Sequence, residues 1–320
     1  MKFTKNNMNL ASINFFGTHN FASTVLEKII QTEQFKIIQV ITMPDKPAGR
    51  HQEARASAVK RLALENGLTI VQPDSLRQAE FTTLESDLNI VVDYGLIIPK
   101  KILQKPKRGS INIHPSNLPA YRGPSPIQSV LLNGEHSTAV SFMIMDEQMD
   151  HGPILAQKPV QIDPDDTYIE LNLKLAQVAS DMFLNVISGY LSGLIKPVPQ
   201  NDDQATYCAR LERQSGLVDF DQPAPKIYNQ YRALTPWPGL WVRLNGKRLK
   251  LLKIQPATLP LLTGQIKFLK GSVYIGCQTG SIQAMELQME GKKAVTAESF
   301  INGNQKINGC QLDDPLYEKK

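Results

Sequence analysis

From Ile13 to about residue 195 the chain alternates between short β-rich apolar runs and segments of helical period, and this alternation constrains the fold more than any other feature. Ile13-Asn14-Phe15-Phe16-Gly17 reads as a buried strand ended by glycine, with a helical pattern following to about Gln31. Ile37–Thr42 is a second β-rich run. Ser57 is placed to cap a helix over Ala58–Asn66, and Gly67 supplies the left-handed residue beyond its end. Leu88–Val92, Ser110–His114 and Ala139–Met145 are further apolar runs. Strands separated by helices form parallel βαβ units, so an α/β domain with a mostly parallel sheet is expected. It closes with a long helix after Pro164-Asp165-Asp166, where Leu171, Leu175, Val178, Met182 and Val186 form one apolar stripe.

Beyond residue 195 the texture changes. Ile195–Cys208 is poor in large apolar residues and holds two prolines, so 196–208 is expected as a linker between domains of residues 1–195 and 209–320. In the second domain Trp241–Leu244, Asn245-Gly246 and Lys247–Leu252 read as a hairpin. Asn-Gly suits a two-residue turn because both central residues take positive φ. Gln265–Phe268, Ser272–Gly276 and Ser281–Gln288 are further short strands broken by glycines, the pattern of a small sandwich or barrel.

Charge divides along the same line. Residues 1–208 hold 19 basic and 21 acidic side chains, whereas residues 209–320 hold 16 and 9, so the net +5 of the chain resides in its last third. A basic domain points to a polyanionic partner. A composition of 42% hydrophobic and 20% charged residues excludes a disordered or low-complexity chain. Cys208, Cys277 and Cys310 are too few and too dispersed for a disulfide framework or a CxxC metal site, and imply a reduced, cytoplasmic setting. The start MKFTKNNMNL lacks the apolar core of a secretory signal. Met182–Ile195, the longest uncharged and mainly apolar stretch, falls short of the ~18 residues of a membrane span. The expectation is a soluble monomer with no membrane association.

Chemistry concentrates in Asn112-Ile113-His114-Pro115-Ser116-Asn117-Leu118-Pro119. Asn112 and His114 stand two apart at a strand end and so share one face. An amide donor beside an imidazole suits acyl transfer, the first stabilising an oxyanion and the second moving a proton. A strand-end histidine bonded to backbone is the other reading, and spacing leaves both open. Asp150, in the Gly/Pro-flanked turn Met149–Pro153, is an acid that could orient His114. His151 beside it reads as a surface turn residue. Gly17 is not followed by G-x-G-x-x-G, and no G-x-x-x-x-G-K-[ST], H-E-x-x-H or G-x-S-x-G occurs. Histidines at 19, 51, 114, 136 and 151 have no metal-ligand spacing.

The run INIHPSNLPAYRGPSPIQ, with MDEQMDHGPIL downstream, resembles the 10-formyltetrahydrofolate-dependent formyltransferases. FFGTHNFA, MPDKPAGR, VVDYGLIIP, QATYCARLERQSGLVDF, RALTPWPGLWVRLNGKRLKLL and LQMEGKKAVTAESFINGN narrow the resemblance to the members that act on methionyl-tRNA, from about Ile13 to Asn304. It implies a Rossmann-like catalytic domain followed by an all-β, OB-like barrel. It implies that 10-formyltetrahydrofolate is the formyl donor, used without a metal, and that methionyl-initiator tRNA is the acceptor. Carried over by position, the catalytic trio falls on Asn112, His114 and Asp150, and the folate-contacting segment on Ser116, Asn117, Leu118 and Pro119. Asn117 stands where leucine is usual, and Asp93 in VVDYGLIIP where a small residue is usual. An ionised carboxylate at 93 is costly unless solvated or paired.

The same resemblance places tRNA contacts at Lys46 and Arg50 in the loop Met43–Ala56, although His51-Gln52-Glu53-Ala54 replaces the usual lysines. In the basic domain, alternation puts Lys247 and Lys253 on the face of Leu249 and Leu251, and Arg248 and Lys250 on the solvated face, where they could meet phosphates. Trp237 and Trp241 are expected to pack at the barrel mouth, with stacking on a base as the other reading. A nucleotide-amino-sugar N-formyltransferase would use the same trio and donor, and a non-catalytic RNA- or folate-binding module would share the plan. The PDKPAGR and LQMEGKK segments speak against the first, and the complete trio against the second.

Overall fold

The computed structural model describes residues 10–48, 53–77 and 84–313. The chain divides into two compact units. The first takes Met1–Gly123, Ser137–Gln161 and Asn172–Cys208; the second takes Pro124–His136, Ile162–Leu171 and Ala209–Lys320. The units are therefore not the contiguous halves expected, because the chain crosses to the second unit twice before settling there.

The first unit is built on β1 (Ala11–Gly17), α1 (Asn20–Thr32), β2 (Phe35–Ile41), the hairpin β3 (Lys46–Ala48) and β4 (Glu53–Arg55), α2 (Ala58–Glu65), β5 (Ile70–Val71), β6 (Leu88–Val92), α3 (Lys100–Leu103) and β7 (Ser110–His114). Ser57 caps α2, its hydroxyl accepting from the Lys60 N–H at 3.0 Å, and Gly67 takes φ 62° just beyond it. After β7 the chain forms α4 (Pro126–Leu132) in the second unit. It returns in β8 (Ser137–Ile144) and β9 (Ile154–Gln161). The seven strands lie in the order β5-β2-β1-β6-β7-β8-β9. The sheet is parallel as far as β7. β8 then pairs antiparallel to β7, from Ile111 with Ile144 to His114 with Ser141, and β9 runs antiparallel to β8. The Ala139–Met145 run is thus a strand but not a parallel one. β9, whose middle Gln157-Lys158-Pro159 is exposed, carries too little apolar pattern to be visible in the sequence.

Helix α5 (Tyr168–Leu191) buries Leu171, Leu175 and Val186 of the expected stripe, and departs from it between Leu175 and Val186. Leu171, Leu175, Ala179, Phe183 and Ile187 are at 0% exposure, while Val178 and Met182 are half-buried. Steps of four keep these residues on one side over this length, and the small Ala179 escapes a search for large side chains. Phe183 meets Phe35 edge to face at 5.5 Å. Residues 196–208, expected as a linker, are bonded into this unit. Val198 bridges Ile154, and Tyr207 bridges Arg122.

The second unit packs α4 and α6 (Ala224–Leu234) with an antiparallel sheet of β10 (Leu240–Leu244), β11 (Lys247–Ala257), β12 (Ile266–Leu269), β13 (Ser272–Gly276), β14 (Ser281–Met289) and β15 (Val295–Thr296), followed by α7 (Ala297–Gly303). The strand order is β10-β11-β14-β13-β12, with β15 beside β14. Asn245 and Gly246 turn β10 into β11 with φ 52° and 73°. The two edges are linked by the chain rather than by each other. Residues 309–312 bond Ile266 and Gly264 on the β12 side, and Asp313 bonds the Arg243 carbonyl and the amides of Asn245 and Gly246 on the β10 side. Register shifts around Leu252 and Lys253 mark a bulge in β11. The bulge turns Lys253 to solvent, against the alternation that would place it with Leu249 and Leu251.

Replacing Phe183 with alanine should remove about 3–5 kcal/mol of stability in urea unfolding, and Met182→Ala half of that or less. Equal losses would contradict the exchange of Met182 for Phe183 in the buried face.

Candidate active site

The alternation of β7 sends Ile111 and Ile113 into the core at 0% and 1% exposure, and so brings Asn112 and His114 to the opposite face together. Asp150 reaches them from the 145–153 connection. Its Oδ1 accepts from Asn112 Nδ2 at 3.1 Å and lies 3.7 Å from His114 Nδ1, and its Oδ2 accepts from the Gly123 N–H at 2.8 Å. The three sequence-predicted residues therefore converge, with one difference. Asp150 hydrogen-bonds Asn112 and Gly123, whereas 3.7 Å from the imidazole is an ion-pair distance rather than a hydrogen bond. His114 Nε2 lies 3.0 Å from the Tyr121 carbonyl. A carbonyl only accepts, so Nε2 carries a proton and Nδ1 is the ring atom turned to Asp150. The same rule fixes Asn112. Its Nδ2 must face the carboxylate, and one of its two N–H bonds is left over.

Close packing enforces this geometry. Asp150 sits in the left-handed region at φ 49°, as does Tyr121 at 61°. A Cβ on Gly152 would fall 1.9 Å from the Ile144 carbonyl, and one on Gly123, at φ +119°, 2.6 Å from the Cys208 carbonyl. Neither position admits a side chain without moving backbone.

The Ser116–Pro119 segment follows directly. Ser116 is fully buried and its hydroxyl donates to Ala120 O at 2.7 Å; Leu118 is 2% exposed. Ser141 on β8 donates to Ser116 O at 2.6 Å and accepts from the Leu118 N–H at 3.3 Å, while Gln157 on β9 donates to Leu118 O at 2.8 Å. Asn117 is exposed, its Oδ1 3.5 Å from Gln157 Nε2, so the departure from leucine falls on a solvated side chain. The carboxylate of Asp93 meets His19 Nδ1 at 3.1 Å and is 38% exposed, which satisfies the requirement that it be solvated or paired. A cleft of the same unit is lined by Ser75, Leu76, Arg77, Gly95, Leu96 and Ile97.

Residues that sequence reasoning missed hold the site from behind. Arg122, 1% exposed, donates to Gln200 Oε1, Asp202 and Tyr207. His151 is not a bystander: Nδ1 lies 2.6 Å from Asp146 and Nε2 3.3 Å from Asp202. No sequence pattern announces bonds such as these, between residues about 50 to 80 apart in the chain.

Of the expected tRNA contacts, Lys46 lies in β3, paired with Arg55 of β4, and Arg50 with His51 and Gln52 lies outside the described residues. Arg248 is exposed on the outer face of β11. Its guanidinium lies 4.6 Å from the centre of the Trp241 ring, with that of Arg243 at 5.9 Å. Trp241 is buried on that outer face, donating to the Arg213 carbonyl at 3.1 Å, rather than in the core with Leu240 and Val242. Trp237 is 54% exposed, against the expectation of packing. Arg248, Lys250, Gln288, Met289, Glu290 and Gly291 line a surface cleft, so a carboxylate stands among the bases. Among the described residues no group of three or more His, Cys, Asp or Glu is placed to hold a metal ion. No described helix is long and apolar enough to cross a membrane.

An α/β sheet that gathers an amide, an imidazole and a carboxylate on one strand and the turn beside it is the arrangement of an acyl-transfer enzyme. The chain belongs to the formyl transferase family: residues 8–187 match the formyl transferase model and residues 210–305 the formyl transferase C-terminal domain. Its curated relatives are more particular. The methionyl-tRNA formyltransferase of Thermodesulfovibrio yellowstonii is 39% identical over 302 residues, 93% of this chain and 97% of its own. Among solved structures, a sugar 3N-formyl transferase determined with dTDP and 5-N-formyl-THF superposes with a TM-score of 0.64 at 23% identity, covering 89% of this chain and 99% of that one. The methionyl-tRNA formyltransferase from Clostridium thermocellum gives 0.53 at 19%, covering 77% and 93%.

The hydrogen bond that His151 donates to the Asp146 carboxylate raises the pKa of His151 above 6.5, with Asp202 adding to the effect. A raised folded value means that the bridge is complete below 6.5 and is lost as pH climbs through the raised value. The His151 ring protons should therefore titrate above 6.5 by NMR, and Asp146→Asn should lower the midpoint. An unchanged midpoint would contradict the bridge.

Proposed function

We propose that this chain transfers the formyl group of 10-formyltetrahydrofolate to the α-amine of methionyl-initiator tRNA, giving the formylated aminoacyl-tRNA that starts translation. The observation that carries the chemical step is the single carboxylate, Asp150, that bonds Asn112 and faces His114. The unprotonated amine attacks the formyl carbon, and the carbonyl oxygen becomes an oxyanion. The second N–H of Asn112, left over from the bond to Asp150, donates to that oxyanion. The amine nitrogen then carries a proton it must lose, and N10 of the folate needs one to leave. His114 Nδ1 moves it, while Nε2 stays fixed on the Tyr121 carbonyl. Asp150 balances the charge that the ring carries in transit. With the new N–C bond already made, the oxyanion collapses, C–N10 breaks with the proton delivered to N10, and the products are the formamide and tetrahydrofolate.

The donor fits the first unit. Ser116, Asn117, Leu118 and Pro119 form a rim beside His114 whose backbone Ser141 and Gln157 engage, and the cleft at Leu76 and Gly95–Ile97 offers a partly apolar lining for a pterin. The acceptor is polyanionic, and Lys46, Arg50, Arg248 and Lys250 are the bases proposed to meet its phosphates. Arg248 and Arg243 over Trp241 make a cationic plate on the outer face of the second unit. Full-length similarity to the methionyl-tRNA formyltransferases supports this acceptor.

Purified protein with 10-formyltetrahydrofolate should formylate methionyl-initiator tRNA and leave a nucleotide-linked amino sugar untouched; the reverse outcome assigns the sugar reaction. Asn112→Ala and His114→Ala should each lower turnover by about 10²–10³ with the melting temperature kept. Near-full rates in either would remove that residue from the mechanism. In Arg248→Ala and Lys250→Ala the log–log salt slope of tRNA affinity should become shallower by about 0.7–0.9 for each phosphate that the missing side chain neutralised. Slopes equal to that of the parent protein would exclude this face.

A further inference from the structure

We propose that Gln200 and Arg122 are positioning residues, which lock the backbone of Asp150 and Gly152 and thereby aim the Asp150 carboxylate at Asn112 and His114. Gln200 Nε2 donates twice, to the carbonyl of Asp150 at 2.8 Å and to that of Gly152 at 2.7 Å. Its Oε1 accepts twice, from Arg122 Nε at 3.1 Å and Nη2 at 2.8 Å. The amide has only one workable orientation. Reversed, it would set an oxygen against two carbonyls and an NH2 against a guanidinium. Arg122 is itself held, at 1% exposure, by Asp202 at 2.7 Å, by the Tyr207 hydroxyl at 3.2 Å and by backbone bonds to Thr206 and Cys208.

The arrangement has a purpose at Asp150. Its φ of 49° is an uncommon conformation for a residue with a Cβ, and it persists only where the surroundings over-determine it. Its side chain is tied by Asn112 and Gly123, but those bonds fix the carboxylate only if the backbone bearing it is fixed as well. Gln200 supplies that second tether on both carbonyls flanking His151. The side chains of Gln200 and Arg122 bond to the 150–152 backbone and to residues 200–208 rather than to Asn112 or His114, so their effect passes through Asp150. Loosening a catalytic group by about an ångström costs on the order of 10²-fold in rate.

The proposal rests on the role given to Asp150 above, and the test separates the two. Formylation of methionyl-tRNA is measured for the wild-type protein, Gln200→Met, Asp150→Ala and the double variant. Methionine keeps the length and neutrality of glutamine but removes every hydrogen bond. Gln200→Met should lose about ten- to a hundredfold in kcat, with KM for both substrates within about threefold. Added to Asp150→Ala, it should cost nothing further, because residues that act as one unit are not additive. A Gln200→Met enzyme with kcat within about twofold of wild type overturns the proposal, as does an additive double variant, which would mean a general structural role. If Gln200→Met does not fold, Gln200→Glu, which keeps the acceptor for Arg122 and loses both donors to the 150–152 carbonyls, is put through the same cycle with the same criteria. An inactive wild-type protein, or an Asp150→Ala protein at full rate, refutes the functional reading itself and this proposal with it.

Discussion

The carboxylate of Asp150 is the point on which the site depends. It has about four lone-pair directions to satisfy, and finds donors in an asparagine amide and a backbone N–H, with an imidazole at ion-pair distance. Each of these is placed by a different part of the chain: Asn112 and His114 by strand alternation, Gly123 by a conformation that glycine alone holds without strain, and Asp150 by a connection folded back on β8. One anion thus ties the β7 strand, the segment after it and the 145–153 turn. Tyr121, Gly123 and Asp150 are all at positive φ here. Such conformations cluster where a structure has been arranged around chemistry rather than around stability.

The reversal of strand direction at β8 serves the same end. A parallel strand there would pair with β7 through slanted, evenly spaced bonds. Running antiparallel instead, β8 sets Ser141 opposite His114. From there its hydroxyl holds the Ser116–Leu118 backbone, and β9 delivers Gln157 to the same segment. Two polar side chains on the antiparallel edge therefore shape the rim that the parallel strands present.

Much of this is legible in the sequence. The β7 run with Asn112 and His114 two apart, the Ser57 cap, the Gly67 stop and the Asn245-Gly246 turn are all local, and local chemistry is written in adjacent residues. What is not legible depends on partners distant in the chain. Gln200 sits in a stretch whose prolines and acids read as a linker, yet it bonds the 150–152 turn. Strict alternation puts Lys253 on the wrong face, because one bulge shifts the parity of everything after it. In the middle of α5 the core takes Ala179 and Phe183 rather than Val178 and Met182, although Leu171, Leu175 and Val186 are buried as the stripe has them. Trp241 has the size and apolarity of a core residue, but is buried instead beneath two arginines on the outer face.

The interleaving of the units has a consequence for how this chain can be cut and recombined. The second unit owns Pro124–His136 and Ile162–Leu171, both upstream of residue 209. A chain ended at 208 would carry α4 without α6, with Ile127, Val130 and Leu131 of its buried face turned to water. A chain begun at 209 would lack Asp166, whose carbonyl accepts from the buried guanidinium of Arg232, and Asp165, which accepts from the Tyr228 hydroxyl. Each unit is compact, but neither is a cassette. No single scission or crossover point in the gene yields either one intact, so the acceptor preference of such an enzyme would have to be changed by substitution in place rather than by exchange of a module.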